Sequence, residues 1–238
     1  MSTILLWILG TLAAVASFAV LGKKYESGIL IGIYAGLVVM AQVFAGKLVV
    51  FGPFIVPGAV VVYGITYLMT DALVEFYGKK EAQKAIYAGF VGSVILVLGI
   101  QLLLRWQPAP FFEHQEAFVL VLSNTWRIVV ASVISYLISQ SMDVWSYSLI
   151  KEKTKGKHLW LRNNASTMTS QIVDTVIFIG LAFWGTMPGK ELVMMMLGQY
   201  SIKFLIALSD TPFLYFMKWV FMKGKDKNLD KNLLNKTL

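Results

Sequence analysis

The chain of 238 residues contains no cysteine. Disulfide frameworks and thiolate metal sites are therefore excluded. Histidine is nearly as scarce. His114 and His158 both fall in expected loops, so a histidine-based zinc or haem site is not expected. Charge is thin as well: Asp, Glu, Lys and Arg make up 14% of the residues, against roughly a quarter in soluble domains. No G-x-x-x-x-G-K-[ST] phosphate loop occurs, which removes ATP hydrolysis by that route, and no H-E-x-x-H zinc helix occurs. What is abundant is apolar surface, at 57% of residues and a mean hydropathy of +0.68. Several apolar runs of about twenty residues each imply a polytopic membrane protein with no separate soluble domain and no cofactor.

Inside a bilayer an apolar chain satisfies its own backbone by forming helices. The expected fold is an all-α integral membrane bundle of about seven spans, near 4–21, 28–46, 56–76, 83–104, 117–148, 165–186 and 192–221. The number falls to six if one apolar segment is re-entrant or peripheral. Residues 1–222 read as one transmembrane domain and 223–238 as a basic tail. The first span lacks a basic residue before its apolar core, unlike a signal peptide. With the N-terminus outside, inner loops and tail hold 16 of the 21 basic residues, among them Lys79, Lys151, Lys155, Arg162 and Lys218. The outer loops hold Lys47, Arg105 and Lys190. This asymmetry predicts an outside N-terminus and a cytosolic C-terminus. The net charge of +8 is thus a sum over cytosolic segments, not a nucleic-acid footprint. "FGPFIVPG", Phe51 to Gly58, is either an outer turn, the preferred reading, or a broken helix entering the membrane.

Seven charged residues remain within the expected spans: Asp71, Glu75, Arg127, Asp143, Asp174, Lys203 and Asp210. Ionisable groups at membrane depth face the bundle interior, pair with one another, or mark a substrate path. Counting back from Lys79, Lys151 and Lys218 puts Asp71, Asp143 and Asp210 roughly 12 Å from the cytosolic boundary. Asp174 falls at a comparable depth, with Arg127 and Lys203 farther out. Helical spacing gathers these charges into polar stripes. Tyr63, Tyr67, Asp71 and Glu75 form one; Ser132, Tyr136, Ser139 and Asp143 a second. Asn163, Ser166, Ser170 and Asp174 follow, flanked by Thr167, Gln171, Thr175 and Phe178. Gln199, Lys203 and Asp210 share the last. Such stripes suit helices lining a polar cavity, although hydroxyl and amide groups also join membrane helices to one another. "SQSMD" and "SQIVD" place the same S-Q-x-x-D set on two antiparallel spans. Glycine runs at Gly28, Gly32 and Gly36, and at Gly89 and Gly92, suit close helix packing within one chain or in a homodimer.

"TDALVEFYG" (Thr70 to Gly78), "WRIVVASVISYLISQSMDVW" (Trp126 to Trp145), "LWLRNNASTMTSQIVDTVIFIGLAFW" (Leu159 to Trp184) and "YSIKFLIAL" (Tyr200 to Leu208) resemble, in this order, the queuosine-precursor transporter family of the vitamin uptake transporter group. The resemblance implies a bacterial multi-pass importer of 7-deazaguanine bases, such as preQ0 and preQ1 or queuine, for tRNA modification salvage. It implies weight for Asp71, Arg127, Ser132, Gln140, Asp143, Ser166, Thr167, Asp174, Thr175 and Lys203. Gln42 stands where many members carry an asparagine.

A deazaguanine edge offers two adjacent N–H donors that one carboxylate accepts together, and charge-assisted bonds are the strong ones. Its carbonyl oxygen O6 suits Gln, Asn, Arg or Lys, and its face suits an aromatic ring. The candidate substrate-binding set is Tyr67, Asp71, Arg127, Tyr136, Gln140, Asp143, Ser170, Gln171, Asp174, Phe178 and Lys203. Asp143 or Asp174 grips the edge, with Gln140 or Gln171 nearby, while Arg127 and Lys203 balance the carboxylates. Expected partners are the small molecule and the lipid bilayer; no nucleic acid and no energising ATPase partner is expected. Proton coupling and facilitated diffusion both remain open. Transport of another vitamin or nucleobase, or acid–base chemistry by paired aspartates in a membrane enzyme, are the competing readings.

Overall fold

A computed structural model describes residues 2–21, 27–45, 47–123 and 126–234. The elements in chain order are α1 (Ser2–Leu21), α2 (Gly28–Phe44), β1 (Leu48–Phe51), β2 (Phe54–Pro57), α3 (Val60–Phe76), α4 (Lys79–Leu104), α5 (Gln115–Leu122), α6 (Trp126–Lys153), α7 (Leu159–Phe183) and α8 (Gly189–Leu234). Among the described residues, four helical stretches are long and apolar enough to cross a membrane: 79–104, 115–153, 159–183 and 189–221. Shorter apolar helices lie at Ile8–Ser17 and Gly28–Phe44. The fold is thus the helical membrane bundle expected. The span expected at 117–148 falls within the 115–153 stretch, which carries α5 and α6; residues 124–125 between them, like Lys23 and Lys24, lie outside the described residues.

Helix α3 is the axis of the bundle. It packs against α1, α2, α4, α6 and α8, and nearly every residue from Val60 to Val74 is buried. A helix buried all round needs no outward apolar stripe, so it can carry Thr66, Tyr67, Thr70 and Asp71 inward on every side. It ends at Tyr77 and Gly78, whose N–H groups both donate to the Leu73 carbonyl at 2.9 Å. Gly78 has φ +92, which only glycine adopts without strain, and α4 starts at the next residue.

"FGPFIVPG" is neither a bare turn nor a broken helix. It is the tip and second strand of an antiparallel hairpin pairing Leu48 with Pro57 and Phe51 with Phe54. Gly52, at φ +58, and Pro53 make its two-residue turn, a place where glycine at the first position suits strand twist. The hairpin lies on α8 where Gly198 leaves room for it. A Cβ there would stand 2.7 Å from Phe54 Cβ. The other glycines divide similarly. A Cβ at Gly89 would meet the Tyr136 hydroxyl at 2.6 Å, so that glycine serves packing within the chain, whereas Gly28, Gly32 and Gly36 face nothing within 4 Å.

Candidate substrate site

Helix α7 carries the site as a ladder. Asn163 Nδ2 donates to Asp210 Oδ1 on α8 at 2.8 Å. One turn on, the Thr167 hydroxyl donates to Asp71 Oδ2 on α3 at 3.3 Å. Next, the Ser170 hydroxyl donates to Asp143 Oδ1 on α6 at 3.0 Å. Then Asp174 meets Lys203 on α8, Oδ2 to Nζ, at 2.5 Å. The rungs recur every three or four residues, as one helix face requires.

Asp174 is the most heavily bonded acid of the four. Its Oδ1 accepts hydroxyl bonds from Tyr63, Ser135 and Ser139, each at 3.0 Å. Tyr67 donates to Ser139 at 3.2 Å, one step behind. Lys203 Nζ also lies 3.5 Å from the Thr175 hydroxyl and 5.2 Å from the Tyr63 ring centroid. Asp174 and Lys203 are 2% and 1% exposed, so this ion pair is desolvated and survives on its hydrogen bonds.

A cavity of about 50 Å³ opens against this pair. Its wall includes Gln42, Tyr63, Ser132, Ser135, Asp174, Phe178, Gln199 and Lys203, closed on one side by Pro57 of the hairpin. These residues come from the C-terminal end of α2, the start of α3, the first half of α6, the second half of α7 and the first half of α8. All belong to one end of the bundle. A second groove of about 280 Å³ lies on the flank between α2, α4, α5 and α6. Gln42 and Gln101 are its only polar lining residues among the described ones, so it suits an acyl chain better than a polar ring.

The opposite end is sealed by charge. Glu75 accepts from Arg162 Nη2 at 2.8 Å on both oxygens, from Lys218 at 2.7 Å and from the Tyr147 hydroxyl at 3.3 Å, with Lys151 at 3.2 Å. Lys151 Nζ also donates to the Val74 and Glu75 carbonyls at the end of α3, and Arg162 to those of Gly156 and Lys157. Arg162 is fully buried, and Glu75 is paired rather than solvated.

The expected site residues separate accordingly. Asp174, Phe178 and Lys203 line the cavity. Tyr67 stands one hydroxyl behind it. Asp71, Asp143 and Ser170 lie deeper along α7, so Asp174 does not share a layer with the other aspartates. It stands four residues past Ser170, about 6 Å along the helix. Gln171 is fully buried, with neither amide atom partnered among the described residues.

Three expected residues have other partners in this structure. Arg127 pairs with no carboxylate among the described residues: it donates to the Leu181 and Trp184 carbonyls at 2.7 and 2.5 Å, where the end of α7 presents unsatisfied acceptors and negative dipole. Gln140 is occupied with Thr66 at 2.8 Å and Thr70 at 3.4 Å. Tyr136 donates to the Ile86 carbonyl and accepts from Tyr34, which joins α6 to α4 and α2. Conversely, Tyr63, Gln42, Ser132, Ser135 and Gln199 line the cavity without belonging to the expected set. Spacing placed Tyr63, Ser132 and Gln199 on the polar stripes; Ser135 and Gln42 were on none of them.

A family model described as "Putative vitamin uptake transporter" matches residues 57–217, which hold every cavity residue except Ala41, Gln42 and Ala45. The chain is 35% identical over 159 residues to the "Probable queuosine precursor transporter" of Bacillus subtilis (strain 168), covering 66% of this chain and 69% of that protein. It is 28% identical over 121 residues to the "Queuosine precursor transporter" of Escherichia coli (strain K12), covering 50% and 51%. It is 26% identical over 118 residues to the "Probable queuosine precursor transporter" of Haemophilus influenzae, covering 50% and 48%. The chain thus spans about half the length of the last two. No solved structure matches it. These relatives are transporters rather than enzymes, and with the apolar helices they identify a multi-pass bacterial membrane protein. The chain belongs to the vitamin uptake transporter family, in the group that includes the queuosine precursor transporters.

Proposed function

We propose that this protein imports queuosine precursors, 7-deazaguanine bases such as preQ0 and preQ1 with queuine as a further candidate, for salvage into tRNA modification. The names of its relatives support the substrate class. The observation that carries the reading is the cavity at Asp174 and Lys203. It combines a paired carboxylate and ammonium, hydroxyl and amide groups, and the aromatic surface of Tyr63 and Phe178. A few placed polar groups on an otherwise apolar wall are what a small heterocycle needs.

The uneven distribution of Lys and Arg puts the cavity end outside and the Glu75 cluster in the cytosol. The protein then stands open toward the outside only narrowly. A volume of about 50 Å³ is well under the roughly 300–1,000 Å³ of ligand pockets. Entry of a bicyclic base requires the hairpin and Tyr63 to withdraw, and release requires the Glu75 cluster to part. The test is tRNA queuosine in cells that cannot make the precursor but are fed it. Queuosine is expected only when this protein is present. Its absence in both cultures sinks the reading, and adding excess adenine or a vitamin as competitor separates it from uptake of another ring compound.

A further inference from the structure

We propose that Gln199 and Lys203 together read the lactam edge of the transported base, a ring carbonyl beside a ring N–H. The inference rests on the substrate class proposed above, but it moves recognition from the carboxylate to α8. Asp174 has little left to offer. Its Oδ1 already accepts three hydroxyls and its Oδ2 holds the ammonium of Lys203. A base reaching for that carboxylate has to displace partners the protein supplies from α3, α6 and α8. Asp174 is the positioning residue that aims Lys203.

Gln199 is in the opposite condition. It is 4% exposed, it lines the cavity, and its Oε1 has no hydrogen-bond partner among the described residues. A buried carbonyl left unpaired calls for an unseen donor. Lys203 follows four residues later and lines the same cavity, so both side chains project from one face of α8, about 5–6 Å apart at their Cβ atoms. The ammonium has three N–H donors, and among the described residues two oxygens, Asp174 Oδ2 and Thr175 Oγ1, lie within its reach. Helix α8 therefore presents one open acceptor and one remaining donor, one turn apart. A lactam presents the complement: its N–H meets Gln199 Oε1 and its carbonyl oxygen meets Lys203 Nζ. Ring systems with an amine at that position offer a donor where Lys203 also donates, and are rejected.

The test compares binding of 7-cyano-7-deazaguanine with its 6-deoxo analogue, which lacks both lactam groups and adds no bulk, to the purified full-length protein by titration calorimetry. Wild type is expected to prefer the lactam by about tenfold or more, since a site built to pair an N–H leaves its acceptor unpaired without it. Gln199→Leu is expected to reduce that preference by about tenfold, the scale of one hydrogen bond. Gln199→Asn, which withdraws the carbonyl by one methylene, is expected to do the same, and it serves if the leucine variant does not fold. Gln199→Glu, which keeps an acceptor, retains the preference. An unchanged preference in the leucine or asparagine variant overturns the inference. Equal binding of both ligands by wild type overturns it as well while leaving the substrate class standing. Binding of neither overturns the substrate class itself.

Discussion

Asp174 and Lys203 are each buried, and each is tolerable only because of the other. Removing one partner of a buried pair typically costs about 3–5 kcal/mol, because the remaining charge has nothing to offset its desolvation. Asp174→Asn is expected to reach the membrane normally, to melt at a lower temperature in detergent, and to lose precursor uptake. Adding Lys203→Met removes the stranded charge. The double variant is expected to recover most of the melting temperature and none of the uptake, a non-additivity typical of residues in direct contact. Normal uptake by Asp174→Asn sinks the role given to this pair.

Two elements bound the proposed substrate path, the hairpin at one end and the Glu75 cluster at the other. The hairpin rests on α8 at a backbone where any side chain would strike Phe54. Gly198→Leu is expected to lift the hairpin from α8, which limited proteolysis reports as faster cleavage within residues 48–57. Cleavage at the wild-type rate contradicts that packing. At the far end, α3, α6, α7 and α8 converge on one carboxylate held by Arg162, Lys151 and Lys218. Arg162 is the buried member, and Lys151 and Lys218 are partly exposed. Arg162→Ala is therefore expected to destabilise by about 3 kcal/mol or more, and Lys218→Ala by about 1 kcal/mol or less. Equal losses of thermal stability count against the burial gradient.

For the whole molecule, the lack of cysteine is an experimental convenience. Single cysteines need no background removed before a membrane-impermeant maleimide is applied to intact cells. Lys190→Cys, before α8, is expected to label, and Lys155→Cys, between α6 and α7, only after the membrane is opened. The reverse pattern inverts the molecule and assigns the cavity to the cytosolic side. Either result leaves unaltered the relation between the two ends, because the contacts of Asp174 and of Glu75 place the cavity and the ionic seal at opposite ends of the same helices.

The chain's apolar runs by themselves determined the solvent, and the solvent determined the helices. A backbone in hydrocarbon has no partner but itself. Helical spacing then placed Tyr67, Asp143, Asp174 and Lys203 on inward stripes, and both members of the cavity's ion pair were visible that way. Which stripe meets which was not visible. Period gives a residue's bearing on its own helix, but not the rotation or axial offset of the next helix. So Asp174 read as level with Asp71, Asp143 and Asp210, while packing set Asp143 beside Ser170, a turn short of Asp174, and set Asp174 opposite Lys203. Arg127 read as a counter-charge until the end of α7 supplied carbonyls to hold it. Gln199 stood in the sequence one turn from Lys203 throughout; only the tertiary structure decided that it lines the cavity with a carbonyl that has no hydrogen-bond partner among the described residues.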